Sequence, residues 1–393
     1  MISSKRIGLA TVATLAAGLV LATLGGCGRK DDAGGAKSGG DVIRIGHVAP
    51  LSGGDAHLGK DNENGARLAA DEINAAGGVK VGDKTYRVEI QGEDDKADPR
   101  EGTLVAQKLI DAGVVAVVGH LNSGSSIPAS KIYKDAEVTQ ISPSSTAVKY
   151  TDQGFKTTFR VVANDRQQGS AMANYATDVL KAKTVAIVDD RTAYGQGLAD
   201  IVEEVVKSHG ATVIAREYTD NKASDFNAIL TKIRATKPDV IVYGGMDDTA
   251  GPMAKQIHQL GIKTPLIGGD GACTPEFIKL AGDGAEQLVC TRAGEAVERL
   301  PRGDRFMTGY QAKFGSPVQI YAPYSYDAVY VIVEAIRRAG SLDRAAITKA
   351  VAATDYDGLT GHIVFDPKGD LKNGAISVYK VQDGKLIFVA TSR

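Results

Sequence analysis

Short apolar runs alternate with amphipathic stretches from Asp41 to the end of the chain. The runs Arg44–Val48, Val114–Val118, Thr184–Val188 and Asp239–Tyr243 are continuous rather than alternating. Continuity of this kind predicts strands covered on both faces, as in a parallel sheet. Between them the spacing changes to the helical period. Ala66, Ala69, Ala70 and Ile73 fall at i, i+3, i+4 and i+7, and the pattern stops at Gly77-Gly78. Phe226, Ile229, Leu230 and Ile233 repeat the spacing behind Ser224, the expected N-cap, while Met253, Ile257 and Leu260 line a helix ended by Gly261. Repeated βα alternation predicts a doubly wound α/β architecture. There are too many βα units for one sheet of ordinary size, so the pattern predicts two lobes. Ligands of open α/β sheets bind beyond the carboxyl ends of the strands, and a cleft between lobes buries a small molecule well.

Composition narrows this picture. A chain of 393 residues can build two cores. Its 46 Lys+Arg and 47 Asp+Glu leave a formal charge of −1, which lacks the basic footprint of a nucleic-acid binder. At the N-terminus, Lys5 and Arg6 precede the uncharged stretch Ile7–Leu24, followed by Leu24-Gly25-Gly26-Cys27. This is the layout of a secretory signal. Small residues before a cysteine resemble a lipobox, with residues 1–26 removed and Cys27 lipidated; the competing reading is a retained anchor, since 18 residues sit at the lower edge of spanning length. The glycine-rich polar stretch 27–40 then reads as a flexible tether. The protein is thus expected to be exported, periplasmic or at the cell surface, and held to the membrane through Cys27. Cys273 and Cys290 remain; they either pair in an oxidising compartment or stay as two separate buried thiols.

Two hydroxyl-rich segments follow predicted strands: Gly119–Ser126 (GHLNSGSS) and Ile141–Thr146 (ISPSST). A strand-to-helix turn aims backbone N–H groups and hydroxyls at one spot, which suits an anion. Either loop alone reads as caps and turns, but two loops leaving the same sheet edge can reach one ligand. Asp270 lies in Gly268–Gly271 (GGDG), where flanking glycines let a ligand or backbone approach closely. Neutral donors for a carboxylate and one acid for an ammonium suit the two ends of an amino acid. Tyr194-Gly195-Gln196-Gly197 is not a dinucleotide fingerprint, because Asp200 stands where its third glycine belongs; Tyr194 could cover a ligand or pack in a core. The six histidines show no metal-binding spacing, and neither a G-x-S-x-G elbow nor a P-loop occurs. Nothing calls for a metal or another cofactor. His120 and Ser123 stand i, i+3 in one loop, a poor geometry for a general base, so a strand-end hydrogen bonder is the expected role of His120.

Five stretches carry a resemblance: Asn64–Gly78 (NGARLAADEINAAGG), His120–Ser130 (HLNSGSSIPAS), Ile141–Thr146, Tyr194–Ala199 (YGQGLA) and Asp366–Leu371 (DPKGDL). In order and spread along the chain, they resemble the leucine/isoleucine/valine-binding proteins of ABC importers, which have the type I periplasmic binding fold. The resemblance implies two Rossmann-like lobes with three hinge crossovers and a ligand cleft between them: residues 41–164 plus 294–372 in the first, residues 165–293 plus 373–393 in the second. It places Ser123, Ser144 and Thr146 at the ligand carboxylate and Asp270 at its ammonium. Tyr194 and Tyr326 are implied as pocket tyrosines, with Leu58, Leu121 and Met246 around the ligand side chain. Leu58 and Met246 replace aromatic residues often found there. Lys96 and Asn122 stand where some members carry a cysteine pair, and Asp247 and Asp248 add charge near the side-chain pocket. The expected function is therefore that of a non-enzymatic, monomeric receptor for an aliphatic amino acid, working with a membrane permease and its ATPases. Two alternatives remain: a receptor of the same fold for an amide, urea-like or aromatic compound, or a secreted hydrolase using a serine of Ser123–Ser126.

Overall fold

The computed structural model describes residues 41–392. The proposed signal, the tether and Cys27 lie outside the described residues. Two sheets carry the chain. The first is built from β1 (Val42–Ala49), β2 (Val79–Val81), β3 (Lys84–Asp94), β4 (Ala116–Gly119), β5 (Thr139–Ser142) and β6 (Thr158–Arg160), in the order β2-β3-β1-β4-β5-β6. All its pairs are parallel except the β2–β3 hairpin. The second begins with β7 (Thr184–Asp189), β8 (Thr212–Tyr218), β9 (Val240–Gly244), β10 (Leu266–Gly268) and β11 (Leu288–Arg292). A separate hairpin of β12 (Asp355–Asp357) and β13 (His362–Val364) comes next; then β14 (Ile376–Gln382) and β15 (Lys385–Ser392) complete the second sheet as β15-β14-β11-β10-β9-β7-β8. Its first five strands pair in parallel, and its last two add antiparallel to β11.

The predicted runs therefore lie in parallel strands, and the reason is burial. Every residue of β4 and β9 is buried, so these strands are almost wholly apolar on both faces. The helix Ala56–Ala75 places Ala66, Ala69, Ala70 and Ile73 inward. It stops where expected: the Gly78 N–H bonds to the Ile73 carbonyl, and both Gly77 and Gly78 have positive φ, which glycine adopts without strain. The Ser224 cap is corrected. The helix there spans Asn227–Thr236 and begins after Phe226, with no side-chain cap at its start. Asp225 accepts from the Asn227 N–H, while the Ser224 carbonyl accepts from Gln256. The turn before the helix is thus held by Asp225 rather than by Ser224.

The chain passes between the two sheets three times: after β6, after β11 and between β13 and β14. These passages are hydrogen-bonded to one another. The Ala163 N–H donates to the Ala293 carbonyl, Gln167 donates to the Gly374 carbonyl, and the fully buried Arg160 donates to Asp370 at 2.6 Å. Each lobe has its own apolar core. A further apolar cluster joins Ala49, Leu58 and Leu121 of the first lobe to Tyr194, Leu198 and Met246 of the second. That mixed cluster lies at the carboxyl ends of the central strands, where the candidate site is found.

Candidate functional site

β4 and β5 are neighbours, with Val117 opposite Gln140, so both hydroxyl-rich loops leave the sheet side by side. Several of their hydroxyls stitch the loops together. Ser126 and Ser145 share a hydrogen bond of 2.6 Å, and Ser142 donates to the His120 carbonyl. Ser123 and Ser144 instead line a cavity of about 630 Å³ between the lobes. Ser123 Oγ accepts from the Ala147 N–H at 3.2 Å, which leaves its own proton to donate. Ser144 Oγ accepts from Asn62 and makes only a long 3.2 Å bond to the Leu121 carbonyl. The start of the helix Ser123–Asp135 lies beside them and favours negative charge there.

Asp270 opens a short turn directly after β10. It is 1% exposed. The Tyr194 hydroxyl donates to one of its carboxylate oxygens at 2.8 Å and the Tyr321 hydroxyl to the other at 2.7 Å. Burial raises its pKa, and the two phenol hydrogen bonds oppose the rise. The glycine bracket has a steric cause: a Cβ at Gly269 would stand 2.3 Å from the Tyr194 hydroxyl, and one at Gly271 would stand 2.6 Å from Met246 Sδ. Tyr194 is set by its own turn, in which Asp190 accepts from Thr192 and Thr192 accepts from the Gly195 N–H.

Beside Asp270 stands a second acid that the motifs did not reveal. Asp165 is fully buried, and both its oxygens lack a hydrogen-bond partner. Burial, then the neighbouring Asp270 charge, push it up to about 8. Thr146 Oγ1 and the Gln168 amide lie near these two carboxyls without reaching hydrogen-bond geometry. Among the described residues no ion pair reaches Asp165 or Asp270. Asp270 therefore presents a buried carboxylate to the cavity, with Asp165 behind it.

Leu121 and Met246 line the cavity between these two ends, and Leu58 packs behind them in the shared cluster. Further out the wall becomes polar, with Asp55, Asn122, Asp248 and Lys96. Burial and the adjacent Asp248 push Asp55 up to about 7, and burial with Asp247 pushes Asp248 to about 6.

Three expected residues stand elsewhere. Tyr326 is not a cleft residue: its hydroxyl donates to Glu72, and its ring packs edge-on against Phe306. Tyr321, five residues earlier, takes the cleft position. Thr146 and Leu58 lie behind the cavity wall rather than on it. His120 is buried with Nδ1 against Asp95 at 2.8 Å and Nε2 against the Tyr133 hydroxyl at 3.1 Å. Both ring nitrogens are therefore engaged, and neither serves a serine. Cys273 and Cys290 are bonded, with Cα atoms 5.4 Å apart, and fasten the Asp270 turn to β11.

Comparison with known proteins points the same way. Residues 42–385 match the family model described as periplasmic binding protein. The leucine-, isoleucine-, valine-, threonine- and alanine-binding protein of Pseudomonas aeruginosa is 33% identical over 342 residues, covering 86% of this chain and 90% of that one. The structure of a leucine-binding protein from Thermotoga maritima superposes with a TM-score of 0.83 at 30% identity, covering 89% of this chain and 98% of the other. A branched-chain amino acid transporter substrate-binding protein from Streptococcus pneumoniae, solved with isoleucine, gives 0.80 at 29% identity, covering 89% and 99%.

Proposed function

The chain belongs to the periplasmic binding protein family, and from that premise we propose that it is the extracytoplasmic receptor of an ABC importer, closing its two lobes on an aliphatic, branched-chain amino acid. The observation that carries this reading is the buried acid Asp270, backed by Asp165, lining the same cavity as the hydroxyl loop of Ser123. Asp270 takes the ammonium with Asp165 behind it, Ser123 and Ser144 take the carboxylate, and Leu121 and Met246 take the hydrocarbon. Relatives named for leucine, isoleucine and valine support the choice of side chain.

The energies suffice. Hydrogen bonds to charged groups contribute roughly 1.5–3 kcal/mol each, and burying an aliphatic side chain adds roughly 1.5–3 kcal/mol. A micromolar Kd needs about −8 kcal/mol, so a few such contacts remain adequate after the cost of ordering. Neutral serines at the carboxylate avoid desolvating a lysine or arginine.

Calorimetric titration with leucine, isoleucine and valine tests the reading, with lysine, benzoate and an aliphatic amide as controls. Saturable binding of the aliphatic amino acids is expected, and Asp270→Ala should weaken it by roughly 2–5 kcal/mol by leaving the ammonium unpaired. Unchanged affinity in that variant would remove the headgroup assignment. Export and anchoring belong to the same proposal, with Cys27 carrying the lipid. Cys27→Ser is expected to move the processed protein from the membrane to the soluble fraction; continued membrane association would show that lipid at this cysteine is not the anchor.

A further inference from the structure

Two helices from opposite lobes point their N-termini at each other across the outer part of the cleft. Asp55 precedes the helix Ala56–Ala75, while Asp247 and Asp248 begin the helix Asp247–Gln259. One carboxylate oxygen from each of these three residues lies within 4.8 Å of the others. The positive ends of the helix dipoles favour acids there, which accounts for their presence but not for their arrangement. Asp55 caps none of its helix N–H groups. Instead Asn122 holds its Oδ2 at 3.0 Å, and its Oδ1 is buried without a partner. Asp247 is arranged alike: His57 and Thr274 both hold Oδ2, and Oδ1 is buried without a partner. Asp55 is 8% exposed and Asp247 fully buried, so neither free oxygen turns to bulk water. Asp248 closes the set from the cavity wall, packed so tightly against Gly54 of the facing lobe that a Cβ there would stand 2.3 Å from its carboxylate.

We propose that Asp55, Asp247 and Asp248 form a divalent-cation site, suited to Ca²⁺, that bridges the two lobes beside the amino-acid cleft. Pinning one oxygen of a carboxylate so that the other is presented is how outer contacts orient metal ligands. Calcium takes oxygen ligands at about 2.3–2.6 Å, so two of them on one ion stand up to about 5 Å apart. Magnesium demands near-ideal octahedral geometry and dehydrates reluctantly, so it suits carboxylates drawn from two lobes less well. Asp55 and Asp248 open on the cavity, from which water can complete the coordination shell. A single organic ammonium would pair with one or two of the three acids, whereas a divalent ion serves all of them. Because its ligands come from both lobes, the ion favours the closed form and so couples to the amino acid. The site does not depend on which solute the cleft takes.

The test is calorimetric titration of CaCl₂, and separately MgCl₂, into protein freed of metal with EDTA, with and without leucine, for the native chain and for Asp55→Asn and Asp248→Asn. One Ca²⁺ per chain is expected, with a Kd of roughly 0.1–1 mM, as in extracellular calcium modules. Mg²⁺ should bind more weakly, and leucine should bind roughly five-fold or more tightly with calcium present. Both variants should lose calcium binding. Absence of calcium binding in the native chain overturns the proposal, as does binding that both variants retain. Calcium binding without any effect on leucine affinity overturns the bridging role. Preference for lysine over leucine that Asp248→Asn abolishes, without calcium binding, overturns it too and gives the acids to the ligand's own side chain. If leucine fails to bind while calcium binds, the solute assignment falls and the cation site stands.

Discussion

An ionised carboxylate at 1% exposure, held by two phenols and joined by a second buried acid, is unstable without a positive charge nearby. Asp165 makes this measurable. Its pKa rises from 3.8 to about 8 in the folded chain. Between those values the unfolded chain carries the ionised group and the folded chain the protonated one, so folding takes up a proton and stability falls as pH rises through this window. The free energy of unfolding of the ligand-free protein should therefore decline with a slope approaching about 1.4 kcal/mol per pH unit from this group. Asp165→Asn should flatten that slope in urea melts between pH 5 and 8 while weakening amino-acid binding. An unchanged slope would mean that Asp165 is solvated or paired. Legibility at this scale was uneven. Asp270 announced itself through its glycine bracket, because Tyr194 and Met246 press against those positions. Asp165 sits in an ordinary helix start with no such signal. Tyr321 and Tyr326 carry the same chemistry, but five residues of helix turn one about 140° from the other, and only the position of the helix decides which enters the cleft.

Neighbouring parallel strands explain the two hydroxyl loops. Since β4 and β5 pair in register, their carboxyl ends deliver Gly119–Ser126 and Ile141–Thr146 to one place. The hydroxyls then divide between scaffold and site according to which are already bonded. Ser126 is committed to Ser145 and the His120 carbonyl, whereas Ser123 keeps its proton for a ligand. Ser123→Ala is accordingly expected to weaken leucine binding by roughly 1.5–3 kcal/mol with little change in melting temperature. Ser126→Ala should do the reverse, lowering stability by roughly 1–3 kcal/mol and leaving affinity within two-fold. Calorimetry and thermal melts of the two variants separate these outcomes, and equal effects on affinity would end the division. The expected loops were readable from runs of serine after β patterns. Which serine faces the cleft was not, because that depends on hydrogen bonds between segments about twenty residues apart.

At the scale of the molecule, three hydrogen-bonded crossings join two separately packed lobes, and residues of both line the cavity between them. Such a joint allows a hinge motion, and a ligand that contacts both sides favours closure. Leucine should therefore lower the radius of gyration measured by solution X-ray scattering, and Asp270→Ala should blunt that change at the same leucine concentration. No contraction at saturating leucine would argue against closure on the ligand. The sequence by itself determined the α/β alternation, the two-lobed architecture and the hydroxyl loops and glycine-bracketed acid that line the cavity, because burial on both strand faces, helical periodicity and close-packed glycines each leave a local trace. Tertiary structure alone decided that Tyr321 rather than Tyr326 enters the cleft, that Asp165 joins Asp270, and that Asp55 meets Asp247 and Asp248. Those encounters join segments tens to nearly two hundred residues apart, and proximity of that kind is set by how the strands are ordered and the lobes packed, not by spacing along the chain.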